Sequence, residues 1–258
     1  ALEPYGPAPL EVWRSAGPVA RGRDGDLAWA CDGALMFGAI ELDEPAGAAG
    51  GDRDGDIEAT AVASYERLVA ALGAHGYPHL LRVWNYLDGI TVGDGDDERY
   101  RRFCVGRARG LGNVDVRQLP AATAIGRVDG VRRLQVYWLA AREPGTPLEN
   151  PRQVSAYRYP ADYGPRSPTF SRAALVYPPG QEWLFISGTA SIVGHSSVHE
   201  GDVTTQAHES LNNIEAVLAE ANRASRHGAF TLGELTYRVY VRHAADFEAV
   251  HQVMQQRC

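Results

Sequence analysis

The stretch Thr204–Asn222, TTQAHESLNNIEAVLAEAN, decides how the chain is read. Its Leu211, Ile214, Val217, Leu218 and Ala221 recur at helical spacing and predict an amphipathic helix with one apolar face. The same spacing occurs earlier, at Val62, Tyr65, Leu68, Val69 and Leu72, within a helix predicted over Ile57–Ala74 and stopped by Gly73 and Gly76. Similar elements surround both helices. Around the first, Leu27–Ala30 and Ala34–Ile40 read as strands separated by the turn Asp32-Gly33; Leu80–Leu87 follows as a strand and Asp97–Leu111 as a helix. Around the second, a strand at Trp183–Ser187 and a loop at Gly194–Asp202 precede the helix, and a strand at Leu235–Arg242 and a helix at Ala245–Gln256 follow it.

The chain therefore predicts an internal duplication, with Val83-Trp84-Asn85-Tyr86 corresponding to Val239-Tyr240-Val241-Arg242. The expected division is 1–141 for the first repeat and 142–258 for a connecting segment plus the second. The first repeat closes with strands at Thr123–Ile125 and Leu134–Ala141, the latter strongly β-prone, whereas the second ends at Cys258 after its helix. A sheet ending so would leave an open edge, so the protein is expected to continue past Cys258. It begins Ala1-Leu2-Glu3-Pro4, without an initiator Met or an apolar leader, and is expected to start inside a longer chain.

Composition narrows the function classes. At 258 residues, 45% hydrophobic and 22% charged, the chain has the make-up of a folded protein with a sizeable core. A formal charge of -7 with no basic run argues against a nucleic-acid partner. No apolar run approaches membrane-spanning length, so no membrane association is expected. Cys31, Cys104 and Cys258 are odd in number, widely spaced and without a C-x-x-C, which points to a reducing, cytoplasmic setting and not to disulfides or zinc. Asp52, Asp54 and Asp56 in the Pro45–Asp56 loop resemble a calcium loop, but Gly55 and Ala63 occupy the wrong positions for one. His195 and His199 lack a third ligand, and no metal is expected.

The segment Tyr157–Arg172, YRYPADYGPRSPTFSR, carries three tyrosines, three arginines and three prolines. Pro160 and Pro168 fix the backbone and Gly164-Pro165 marks a turn, predicting a rigid irregular segment. Guanidinium forks and phenol hydroxyls on such a segment suit capture of a small anion with several oxygens, because arginine grips a carboxylate bidentately. Residue types alone leave a surface loop with solvated arginines as an equal reading.

Leu184-Phe185-Ile186-Ser187-Gly188-Thr189-Ala190, Gly201–Gln206, Leu211-Asn212-Asn213-Ile214 and Val239-Tyr240-Val241 together resemble the reactive-intermediate deaminase (YjgF-like, Rid) family. Across nearly the whole chain, Arg82–Tyr86, Tyr100–Ala108, Leu119–Thr123, Glu149-Asn150-Pro151 and Tyr157–Arg172 resemble the chorismatase family. The resemblance implies an α+β fold of two Rid-like repeats, with helices packed on one face of mixed sheets. It implies chorismate as the substrate, pyruvate as a product, no cofactor, and a monomer or trimer.

Family substrate contacts carry over onto Tyr100, Arg107, Tyr159 and Arg172. Tyr100 and Arg107 are seven positions apart, two helical turns, and so share a helix face. The proton-donating glutamate of the family lies in a C-terminal strand that would follow Cys258, so residues 1–258 alone are expected not to turn chorismate over. Gly188 stands where 3-hydroxybenzoate-forming members carry glycine and water-adding members alanine. The alternatives are hydrolysis to 3,4-dihydroxycyclohexa-1,5-dienoate and pyruvate, and, more distantly, a Rid-type deaminase or a ligand-binding module without chemistry.

Overall fold

The computed structural model describes residues 11–45 and 56–258. Most of the Pro45–Asp56 loop and the start of the proline-rich Ala1–Pro18 stretch lie outside these residues. The first sheet is built from β1 (Ala20–Asp24), β2 (Leu27–Cys31), β3 (Leu35–Asp43), β4 (His79–Asp88), β5 (Ala121–Arg127) and β6 (Arg133–Ala141), in the order β1-β2-β3-β6-β4-β5. All its pairings are antiparallel except β4 with β5, which run parallel. Between those two strands the chain crosses over through the helix α2 (Arg99–Leu111), which packs against α1 (Ile57–His75).

Both helices cover one face of this sheet. Ile57, Ala61, Tyr65, Leu68 and Leu72 of α1 and Phe103 of α2 are buried against Met36, Ile40, Val83, Leu87, Val136 and Trp138. Val69, expected on the same face, is 42% exposed: the buried stripe is centred on Ala61, Tyr65, Leu68 and Leu72 and leaves it at the border. The α1–α2 contact is close because α2 presents glycines to it. A Cβ on Gly110 would meet Val62 O at 2.7 Å, and one on Gly106 would strike the Glu58 carbonyl.

The second half places β7 (Thr146–Leu148), β8 (Ala173–Val176) and β9 (Trp183–Ile186) in an antiparallel sheet, followed by the short hairpin β10 (Ile192–Val193) and β11 (Ser196–Ser197). The helices α3 (Val203–Ala224) and α4 (Phe247–Arg257) complete it. β8 is buried on both faces. Its Ala174 and Val176 pack with Leu81, Trp84, Ala121 and Leu139 on the face of the first sheet opposite α1, while Ala173 and Leu175 pack with Val217 and Ala221 of α3. Strand alternation thus stacks four layers: helices, sheet, sheet, helix. The α+β class expected from the sequence is the class found.

The strand expected at Leu235–Arg242 does not form: after a single turn at Leu232–Glu234 the segment is irregular, with Val239 48% exposed. A strand exists through the ladder it shares with a neighbour, and none of the strands among the described residues pairs with it. The Val239–Arg242 counterpart of the Val83–Tyr86 strand is therefore not seen as a strand. Tyr240 instead reaches across to Tyr86, with the two hydroxyls 2.6 Å apart.

Candidate active site

Arg107 sits on the face of α2 turned to α1, 4% exposed, with its guanidinium carbon 5.3 Å from the centre of the Tyr65 ring. The Tyr65 hydroxyl donates to Asn85 Oδ1 at 2.6 Å, and Asn85 Nδ2 donates to Thr123 O at 3.0 Å, which fixes the ring beneath the guanidinium. Nε and Nη2 of Arg107 are buried without a hydrogen-bond partner among the described residues. Buried donors of a charged group are nearly always paired, so these two are poised for an acceptor.

Tyr100, two turns earlier in α2, lies 6.3 Å ring to ring from Phe103, which in turn meets Tyr65 edge-on. Burial raises the Tyr100 hydroxyl well above the usual phenol range; Cys104 adds to the rise and the Arg107 charge opposes it. The phenol therefore stays protonated and able to donate. Burial likewise pushes the Cys104 thiol up to about 11, which makes it a packed small side chain and not a nucleophile. At pH 8 Cys104 is expected to react with iodoacetamide on the order of 100-fold more slowly than an ordinary exposed thiol, because its thiolate fraction is that much smaller. Peptide mass spectrometry with the exposed Cys258 as the internal reference would reveal it, and equal labelling would contradict it.

The Tyr157–Arg172 segment is irregular, as expected, apart from single turns at Ala156–Arg158 and Ala161–Tyr163. It ends in Arg172, which is 7% exposed. Nη2 of Arg172 donates to Val154 O and to Tyr159 Oη, both at 2.8 Å, and the guanidinium lies over the rings of Phe170 and Tyr159 at 5.4 and 5.6 Å. Its Nε is buried and unpartnered among the described residues. Tyr159 is also one of the groups that raise the Tyr100 phenol. Tyr100 and Arg107 thus come from α2, and Tyr159 and Arg172 from the segment between β7 and β8; Arg107 and Tyr159 both act on the Tyr100 phenol. Each of the two buried guanidinium groups, with at least one donor unpartnered among the described residues and aromatic rings beside it, can take a carboxylate.

Gly188, just after β9, is docked on the outer edge of β5. Its N–H donates to Ala122 O at 3.0 Å, while Ser187 N–H donates to Arg172 O at 3.0 Å. It is exposed, and a Cβ added to it would lie 3.3 Å from Thr123 Cγ2.

Several residues around this arrangement were given no part in it by the sequence reading. Tyr65 was read only as core, and nothing in the helical spacing announces its bond to Asn85. Glu149, partly buried beside Arg172, has its carboxyl raised by burial, against the pull of Ser155 and of Arg172. Arg152 ties the segment to α3, donating to Glu209 Oε1 at 2.6 Å and Asn213 Oδ1 at 3.0 Å. Arg82 donates to Thr123 Oγ1 at 2.5 Å, and burial holds its guanidinium down to about 10. His195 bonds Tyr163 Oη through Nδ1 at 3.0 Å, and no cluster of metal-binding side chains occurs among the described residues. None of the helices described is long and apolar enough to cross a membrane.

Comparison with known proteins agrees with this architecture. The family model described as chorismatase FkbO/Hyg5-like, N-terminal, matches residues 11–140. A chorismatase of Streptomyces rapamycinicus is 39% identical over 257 residues, covering 96% of this chain and 73% of that protein. A 3-hydroxybenzoate synthase of Streptomyces hygroscopicus is 36% identical over 259 residues, covering 95% of this chain and 72% of its own. The crystal structure of a chorismatase superposes with a TM-score of 0.82 at 37% identity, over 93% of this chain and 71% of the other. With the family model matching half of the chain and relatives aligned along almost all of it, the chain belongs to the chorismatase family.

Proposed function

We propose that the protein converts chorismate to 3-hydroxybenzoate and pyruvate. The observation that carries the reading is the pair of buried guanidinium groups, Arg107 and Arg172, each with at least one donor unpartnered among the described residues and each lying over aromatic rings. Chorismate is a cyclohexadiene with a ring carboxylate, a 4-hydroxyl and an enolpyruvyl ether at C3. Its two carboxylates match two cationic clamps. Tyr100 and Tyr159 donate hydrogen bonds beside them, Tyr159 being held in place by Arg172. Burial strengthens each charge-assisted bond, because water no longer competes for the donors.

In the reaction implied by the family, a proton reaches the enolpyruvyl methylene and the C3–O bond breaks, so that pyruvate departs with the ether oxygen. The 4-hydroxyl oxygen closes onto C3, giving an epoxide-like intermediate. Loss of a ring proton then opens the intermediate to the aromatic product. The atoms balance without water: chorismate equals 3-hydroxybenzoate plus pyruvate. Hydrolysis to the diene diol instead takes up one water.

Gly188 favours the first course. A glycine there leaves open the space beside Thr123 that an alanine methyl would enter at 3.3 Å, a tight contact. One methyl shifts relative barriers by about 1–3 kcal/mol, enough to change the dominant product. Product analysis of the full-length protein in 18O-water tests the reading. The expected outcome is 3-hydroxybenzoate without solvent oxygen in its phenol; the diene diol as main product, labelled or not, would overturn it. Gly188→Ala is expected to move the product towards the diol, and an unchanged product would reduce Gly188 to a turn residue.

A further inference from the structure

Thr123 stands in β5 with its side chain on the sheet face away from α1 and α2, 9% exposed. Its hydroxyl oxygen accepts from Arg82 Nη2 at 2.5 Å. Arg82 is itself 6% exposed, lies 4.8 Å above the Trp84 ring and donates to Val83 O at 3.2 Å. None of the ion pairs among the described residues includes it. A buried guanidinium that donates a hydrogen bond to a hydroxyl fixes that hydroxyl as an acceptor on one side. The single hydroxyl proton is then left to donate elsewhere.

The other side of Thr123 faces Gly188. A Cβ at position 188 would lie 3.3 Å from Thr123 Cγ2, 3.5 Å from Oγ1 and 3.6 Å from Cα, so all three nearest atoms belong to this one residue. The first of these distances is shorter than side chains normally adopt, and Thr123 would have to give by a few tenths of an ångström. Arg82 on one side and the β5 backbone bond to Asn85 on the other resist that movement.

We infer that Thr123, anchored by Arg82, is a specificity-determining residue: position 188 sets the product by pressing on, or sparing, the Thr123 side chain. This rests on the reading of Gly188 given above. It has a consequence that a simple loss of room beside the substrate does not. Thr123→Ser deletes Cγ2 and keeps the hydroxyl and its bond from Arg82, so it relieves the contact with an alanine at 188 while leaving that alanine in place.

The test compares full-length wild type, Gly188→Ala, Thr123→Ser and the double variant with chorismate, with the ratio of 3-hydroxybenzoate to diol measured by chromatography. Thr123→Ser alone is expected to keep the wild-type ratio. Gly188→Ala is expected to shift it, and the double variant to recover it by about 5-fold or more, since touching side chains couple on this scale. A merely structural role for Thr123 would change stability and total rate but not restore the ratio. If Gly188→Ala shifts the product and the double variant keeps that shift, the inference about Thr123 is overturned while the Gly188 reading stands. An unchanged product in Gly188→Ala removes both, and a wild type that releases no pyruvate from chorismate refutes the underlying reading of the substrate.

Discussion

Replacing Arg107 with methionine is expected to weaken chorismate binding by about 10- to 150-fold while leaving the ligand-free protein at least as stable as the parent. The two halves of this expectation have one cause. Arg107 is 4% exposed and keeps two donors unpaired among the described residues. A buried charge with unmet hydrogen bonds destabilises the folded state, and an apolar side chain of similar length removes that burden. The same donors are what a carboxylate would use, and a charge-assisted bond contributes about 1.5–3 kcal/mol. Isothermal titration gives the affinity and thermal unfolding the stability. Unchanged affinity would exclude Arg107 from the ligand site. A large fall in stability would mean that its guanidinium holds the fold together, against the geometry over Tyr65.

Arg172→Ala is expected to cost a similar 10- to 150-fold in affinity, by a different route. Nη2 of Arg172 already holds Val154 O and Tyr159 Oη, so the side chain both offers Nε to a ligand and keeps Tyr159 in position. Arg172→Lys is not expected to rescue it, because one ammonium cannot hold the carbonyl and the phenol in the planar fork and still present a second donor beside them. Tyr159→Phe removes one hydroxyl and leaves the guanidinium, so its loss should be smaller. Titration of the three variants in parallel checks this ordering. A lysine variant that binds like the parent would show that only the charge matters there.

Fold and site were legible to different depths. Helical periodicity placed α1 and α3, and the β-prone run at Leu134–Ala141 placed β6, because their apolar faces are buried and must follow the geometric period. The short strands β7 and β8 were missed: three or four residues carry too little alternation, and Ala173-Ala174-Leu175-Val176 is buried on both faces and does not alternate at all. Leu235–Arg242 failed in the opposite sense, with strand-like residues and no partner strand beside them among the described residues. For the candidate site, Arg107 and Arg172 were singled out through family motifs, not through their composition, since helix arginines are usually solvated. What no local pattern carried is how tertiary contacts join distant positions. Asn85 meets Tyr65 across 20 residues, and Arg82 meets Thr123 across 41. The glycines of α2 gave a weak local sign: Gly106 and Gly110, four apart, leave the room in which α1 and α2 close and bury the Arg107 side chain.

The most direct measurement of the central proposal is the stoichiometry of pyruvate release when the full-length protein is mixed with chorismate, followed by a coupled lactate dehydrogenase assay. The proposal expects one pyruvate per chorismate consumed, matched by one 3-hydroxybenzoate, with release falling sharply in Arg107→Met and Arg172→Ala. Chorismate left intact by the wild type, or pyruvate released as fast by the two arginine variants as by the wild type, would contradict it.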